Sequence, residues 1–86
     1  MRADELHLAA MAERDEWGSD DTRRTYPKSS AVHLALATLL DTLAYRAEEI
    51  YETTHEFELR ERMARRNVAG FTEALIVARA ILDGAS

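Results

Sequence analysis

The residues with the clearest capacity for chemistry lie in the stretch AEEIYETTHEF, residues 47–57. Besides Glu56, it contains four side chains of the types that bind divalent metals or carry out acid–base chemistry, namely Glu48, Glu49, Glu52 and His55. If the stretch is helical and Ile50 points to the core, three of the four lie together on the outward side. We interpret the cluster as a solvated acidic face, with no catalytic residue, cofactor or metal ligand. Metal binding by these four residues is the alternative.

One form of that alternative rests on Glu52 and His55. Their Glu-x-x-His spacing resembles the ligand pair of the ferritin-like carboxylate bundles, in which both side chains reach one metal from one helix face. That resemblance implies a helical metal-binding protein. The family also needs a glutamate from another helix, which here would be Glu13 or Glu16.

A second form rests on the order of the three glutamates. Glu48, Glu49 and Glu52 resemble the Glu-Glu-x-x-Glu half of the motif in MazG-type all-α nucleotide pyrophosphohydrolases. The resemblance implies an enzyme that holds Mg²⁺ on substrate phosphates. The second half of that motif is Glu-x-x-Asp, whereas the best match in this chain begins at Glu73 and ends at Ile76, which cannot bind a metal.

A basic cluster offers a third kind of chemistry. The run LRERMARR contains Arg60, Arg62, Arg65 and Arg66, which could bind phosphates. On a helical wheel the four spread around the helix, and glutamates interleave with them. We therefore expect these arginines to pair with acids, and we keep a nucleic-acid-binding regulator as a second alternative function.

The function that we expect is a small acidic protein–protein interaction module. Phage-type inhibitors, antitoxin-like proteins and adaptors are of this kind, and the expected mechanism is to bind and occlude a basic partner. The expected contacts are aromatic anchors, acids and arginines: Trp17, Tyr26, Tyr45, Tyr51, Glu48, Glu52, Glu56, Arg60 and Arg62.

Composition limits the class of protein. A chain of 86 residues predicts a single domain over residues 1–86, and so short a chain buries little of its surface. The net charge of −5 disfavours non-specific binding to nucleic acid or anionic lipid, and the absence of Cys excludes thiol chemistry. The N-terminus resembles no targeting signal and no stretch is apolar enough to span a membrane, so we expect a cytoplasmic protein.

The elements that position these residues are helices. Apolar spacing predicts helices over residues 3–17, 31–66 and 68–83, with a loop over 18–30 that contains the only Pro. Ser29 or Ser30 could cap the long helix. That helix could also break near residue 53, because Thr53 and Glu56 have capping-box spacing.

The long helix predicts the architecture. Its first half has a stripe of Val32, Leu36, Leu39 and Leu43, but other apolar residues fall all round the helical wheel. A helix of this kind must be covered on several sides. We therefore expect an all-α bundle of three to four helices, which forms a homodimer around this long central helix.

Overall fold

The computed structural model describes residues 2–85, and within that range the chain is all-α, as predicted. It forms five helices and no strand. In chain order they are α1 Arg2–Trp17, α2 Asp20–Thr25, α3 Pro27–Thr53, α4 Phe57–Asn67 and α5 Phe71–Ala85.

The core is built around α1, which packs antiparallel to α3 and also contacts α5. The direction follows from two side-chain pairs, because His7 near the start of α1 meets Glu48 and Glu13 near its end meets His33. Many of the buried positions along these helices are alanines, including Ala3, Ala9, Ala10, Ala37 and Ala44. Small side chains let helix axes approach closely, so the core is thin and the molecule is elongated, with extents of 46 × 22 × 17 Å.

The prediction of a loop over 18–30 was wrong. Gly18 ends α1, and its N–H donates to Arg14 O over 2.8 Å. Ser19 then caps α2 by accepting from the N–H of Thr22, and Pro27 begins α3 at a position that needs no N–H donor. The Pro therefore starts a helix instead of marking a loop.

The expected cap at Ser29 or Ser30 is not formed either. α3 begins before both residues, and Ser30 is buried against α2 with its hydroxyl donating to Thr22 O over 3.3 Å. The side chain that could have capped a helix thus joins two helices.

The long helix expected over 31–66 is divided at residues 54–56, which was the alternative that the sequence left open. The capping box that suggested this break does not form. The hydroxyl of Thr53 donates to Ile50 O, and Glu56 makes no capping hydrogen bond through its side chain. Arg60 in α4 instead donates from Nε to Thr54 O over 2.6 Å and secures the break.

The turn between α4 and α5 depends on Gly70. Its φ of 82° lies in the left-handed region, and it is the only residue of the described range with a positive φ. The final helix therefore begins at Phe71, three residues later than predicted. Phe71 itself is fully buried and fixes the start of α5 in the core.

The apolar stripe of α3 is covered along only part of its length. Leu43 is buried and Leu36 is partly buried, whereas Val32 and Leu39 keep 67% and 54% of their surface exposed. The surplus apolar surface that suggested a homodimer is therefore present on the outside of the chain. The dimer itself stays a prediction.

Candidate functional site

The predicted metal cluster is not assembled as its spacing suggested. Glu52 lies on α3, but His55 lies beyond the end of that helix in the 54–56 connection. The pair therefore lacks the single helix face on which the ferritin-like resemblance depended. Within residues 2–85, no group of three or more His, Cys, Asp or Glu side chains is arranged to hold a metal ion.

The glutamates of this cluster point to different surroundings. Glu48 turns towards α1 and contacts His7, while Glu49 and Glu52 are exposed. Glu52 lines a shallow cleft together with Asp4 and Arg60. The other residues that the two motifs would need lie away from this cluster. Glu13 is buried beside α3, Glu16 is exposed on α1, and Glu73 and Ile76 are exposed on α5.

A network of charged side chains, centred on His7, joins α1 to α3. The two ring nitrogens of His7 lie 2.8 Å from Asp41 Oδ1 and 2.7 Å from Glu48 Oε1. The second oxygen of Asp41 accepts from Arg14 Nη1 over 2.6 Å. The ring of Tyr45 packs against His7 edge to face, with centroids 4.9 Å apart. The four charged groups alternate in sign along the interface.

This geometry favours the protonated form of His7. Both ring nitrogens face carboxylates, and only the protonated ring can donate to both of them. Burial disfavours that charged form, but the hydrogen bonds and charges of Asp41 and Glu48 outweigh it and raise the pKa of His7 above its ordinary 6.5. Burial also opposes the ionised form of Asp41, yet His7 and Arg14 together lower the pKa of that carboxyl below its ordinary 3.8.

A second histidine closes the other end of the α1–α3 interface. His33 donates from Nδ1 to Oε2 of the buried Glu13 over 2.5 Å, and its ring stacks on Trp17 with centroids 4.2 Å apart and planes within 8°. Tyr26 meets the same Trp17 edge to face. The carboxylate of Glu13, although only 4% exposed, thus has a hydrogen-bond partner. These residues hold the end of α1 against the start of α3.

The predicted aromatic anchors therefore differ in how much of each side chain is exposed to a partner. Tyr51 is 4% exposed and belongs to the core, so it is corrected from a contact residue to a structural one. Trp17 is half-buried in its stack, whereas Tyr26 and Tyr45 are largely exposed. The amphipathic pattern did not separate them because Tyr is common at both kinds of position.

The arginines of α4 are mixed with acids, as the sequence indicated. Arg65 pairs with Glu61 one turn away over 3.1 Å, and Arg60 is tied to the backbone of Thr54. Arg62 lines a shallow surface depression with Glu58 and Glu61. Acids thus interrupt the positive surface, which makes it a poor match for a regular row of phosphates.

One exposed residue was missed by the sequence interpretation. Phe57 follows Ile50 by seven residues, a spacing that would place both on one side of an unbroken helix. Because α3 ends at Thr53, Phe57 instead begins α4 and is 70% exposed, more than any other large hydrophobic residue of the described chain. The signal that could have found it was the spacing of Thr53 and Glu56, which marked the break.

Three exposed acidic residues lie close to Phe57 in the chain. Glu56 and Glu58 flank it in the chain, and Glu52 is exposed on the last turn of α3. We call Glu52, Glu56, Phe57 and Glu58 the acidic corner. It is the place where the structure offers an exposed aromatic ring among negative charges.

Comparisons with protein-family models, with curated proteins and with solved structures found no significant match for this chain. Within residues 2–85, no helix combines the length and the apolar character needed to cross a membrane.

Proposed function

We propose that this protein is a small acidic interaction module that binds and occludes a basic surface of another protein through the acidic corner. The observation that carries the proposal is the exposure of Phe57, 70%, at a position between two glutamates. An aromatic ring gains much free energy when a partner buries it, and such rings are frequent energetic centres of interfaces.

Charge supports the choice of partner. The chain carries a net charge of −5, and three of its exposed carboxylates lie within five residues of Phe57 in the chain. Negative charges at the rim of a contact raise the association rate with a positive surface and disfavour acidic surfaces. A partner with an apolar groove bordered by Lys or Arg therefore fits best.

The two alternative functions have less support. A metal-dependent enzyme would need the carboxylates and His55 to converge, and they lie on two different segments. A nucleic-acid regulator would need an uninterrupted basic surface, whereas glutamates separate the arginines of α4. The acidic corner requires no rearrangement of the described chain.

The test is site-specific photo-crosslinking in the cells to which the protein is native. The photoreactive residue p-benzoylphenylalanine replaces Phe57 in one variant and Ile76 in a control, because Ile76 on α5 is similarly exposed. We expect a discrete product with a basic partner from position 57 only. In the position-57 variant, the added changes Glu52→Lys and Glu56→Lys should remove that product. Equal products from both positions, or none from position 57, would contradict the proposal.

A further inference from the structure

The outward side of α3 carries a regular seam for another helix. The seam residues follow one another at alternating spacings of four and three, and all are exposed: Lys28, Val32, Ala35, Leu39, Thr42, Arg46 and Glu49. This alternation is the heptad repeat by which one straight helix packs along another. The seam is distinct from the side of α3 that packs on α1, where Ala37, Leu40 and Ala44 are buried.

The seam is apolar in its middle and charged at its ends. Val32 and Leu39 are large hydrophobic residues that keep 67% and 54% of their surface exposed. Lys28 precedes them on the first turn of α3, and Glu49 follows near its end. Within residues 2–85, neither Lys28 nor Glu49 makes an ion pair.

This distribution of charge is complementary to itself when one copy is reversed. A two-fold axis perpendicular to α3 places Lys28 of one helix over Glu49 of the other, and it does so twice. A parallel arrangement would instead bring Lys28 against Lys28 and Glu49 against Glu49. The opposed charges therefore select a second copy, in antiparallel orientation, as the occupant of the seam.

The position of the axis follows from the spacing. Lys28 and Glu49 lie on either side of Leu39, each about three helical turns away. An axis at Leu39 therefore sets the two Leu39 side chains against each other and aligns each Lys28 with Glu49 of the second copy. Val32 then meets the aliphatic stem of Arg46, whose guanidinium can stay in water.

We propose that the protein forms a symmetric homodimer in which the α3 seams of two copies pack antiparallel with the two-fold axis at Leu39. The exposed hydrophobic residues of the seam are buried in that dimer, and Lys28 of each copy pairs with Glu49 of the other. The acidic corner lies outside the seam residues, so the dimer does not depend on the proposed function.

The first test is the mass in solution, measured by light scattering after size-exclusion chromatography over a range of concentrations. We expect twice the chain mass of 9.7 kDa. Leu39→Glu should give the single-chain mass, because it places two negative charges at the axis. Ile76→Glu, at a similarly exposed position on α5, is the control and should keep the dimer. Circular dichroism should show helical spectra like that of the wild type for both variants, which checks that they are folded. A wild-type chain that stays monomeric, or a Leu39→Glu variant that stays dimeric, would overturn the proposal.

The second test addresses the orientation. Lys28→Glu and Glu49→Lys should each weaken the dimer, by about tenfold or more in Kd, since each change opposes like charges at both ends. The double variant should recover the wild-type Kd because it exchanges the two charges. If the single changes weaken the dimer and the double variant does not recover it, the antiparallel pairing of Lys28 with Glu49 is wrong.

A third test uses the absence of cysteine from the chain. Leu39→Cys should form a disulfide-linked dimer under mild oxidation, because two-fold symmetry brings the two positions together. Ile76→Cys is the control and should stay largely unlinked. Equal linkage of the two variants would contradict an axis at Leu39.

Discussion

The two halves of α3 both carry apolar residues, but these residues have different surroundings. In residues 41–53 the apolar positions are mostly buried, including Leu43, Ala47 and Tyr51, and α3 contacts α1, α4 and α5. In residues 27–40 the seam side, with Val32 and Leu39, is exposed although α1 and α2 pack on the opposite side. The apolar pattern thus identifies side chains of α3 that need to be covered. Helices of the same chain cover those of the second half, whereas Val32 and Leu39 in the first half are left for another neighbour.

The most direct way to test this difference is a matched pair of substitutions on one stripe. Leu43 is 6% exposed and Leu39, one turn earlier, is 54% exposed. Leu43→Ala should lower the free energy of unfolding by about 2–5 kcal/mol, because it leaves a cavity in the core. Leu39→Ala should change it by no more than about 0.5 kcal/mol in dilute solution, where the chain is monomeric.

Urea denaturation at low protein concentration measures both values. The difference between the two losses of stability should decrease as the protein concentration rises. Leu39→Ala then also weakens the dimer that stabilises the native chain. Equal losses for the two variants in dilute solution would mean that the two halves of α3 are covered alike.

The second prediction concerns the turn that directs α5 onto the core beside α1 and α3. Gly70 has a φ of 82°, and a Cβ there would touch nothing within 4 Å, so only its backbone conformation opposes a side chain. Gly70→Ala should therefore destabilise the protein by about 1 kcal/mol. Gly84→Ala is the matched control: it lies in α5 with open space around it and should stabilise slightly.

Thermal unfolding of the two glycine variants checks the opposite signs. A decrease in Tm for Gly70→Ala beside a small increase for Gly84→Ala would show that the turn conformation matters. If Gly70→Ala is neutral, the left-handed turn does not constrain how α5 covers the core.

The smallest expected effect is the pH dependence of the His7 network, which secures the second half of α3. The folded state raises the pKa of His7, so its contribution to stability is fully present below the ordinary 6.5 and is lost as pH rises through the higher folded value. Water reaches the ring, which is 25% exposed, and limits the size of the effect.

His7→Gln removes this contribution, and His33→Gln removes a histidine that contacts the first half of α3 instead. We expect the stability difference between wild type and His7→Gln to decrease as pH rises above 6.5. The stability of the wild type and that of His33→Gln should decrease alike over this range, because both proteins keep His7. A constant difference between wild type and His7→Gln across this range would show that folding does not raise the pKa of His7.

At acid pH, the change of stability with pH that is due to Asp41 has the opposite sign. The folded state lowers the pKa of this carboxyl, so its contribution is present above the ordinary 3.8 and is lost as pH falls through the lower folded value. The network therefore contributes most between these two ordinary values, 3.8 and 6.5. Asp41→Asn should make unfolding less sensitive to acid below that window.

The candidate site shows how far residue types and spacing can predict a function. Glu48 and Glu52 are four residues apart on one helix, as expected, but Glu48 is turned towards α1 because His7 lies there. Nothing in the sequence links residues 7 and 48, since only the antiparallel packing of α1 on α3 brings them together. His55 does not join the predicted cluster because α3 ends at Thr53, before it.

The sequence by itself determined that the chain is helical and where most of the helices lie, although the short α2 was missed. Apolar spacing, the Gly at the end of α1 and the break near residue 53 are local features, because backbone hydrogen bonds, capping and side-chain periodicity act within a few residues. It also determined that α3 has apolar residues on more sides than one neighbouring helix can cover.

Only the tertiary structure decided which of these residues are buried within the chain and which stay on its surface. The same apolar side chain is core at Leu43 and surface at Leu39, and the same histidine type is charged between two carboxylates at His7 and stacked on Trp17 at His33. Burial and pKa depend on the neighbours that packing brings from distant parts of the sequence. The exposed seam and the acidic corner are therefore properties of the fold, although every residue in them is visible in the sequence.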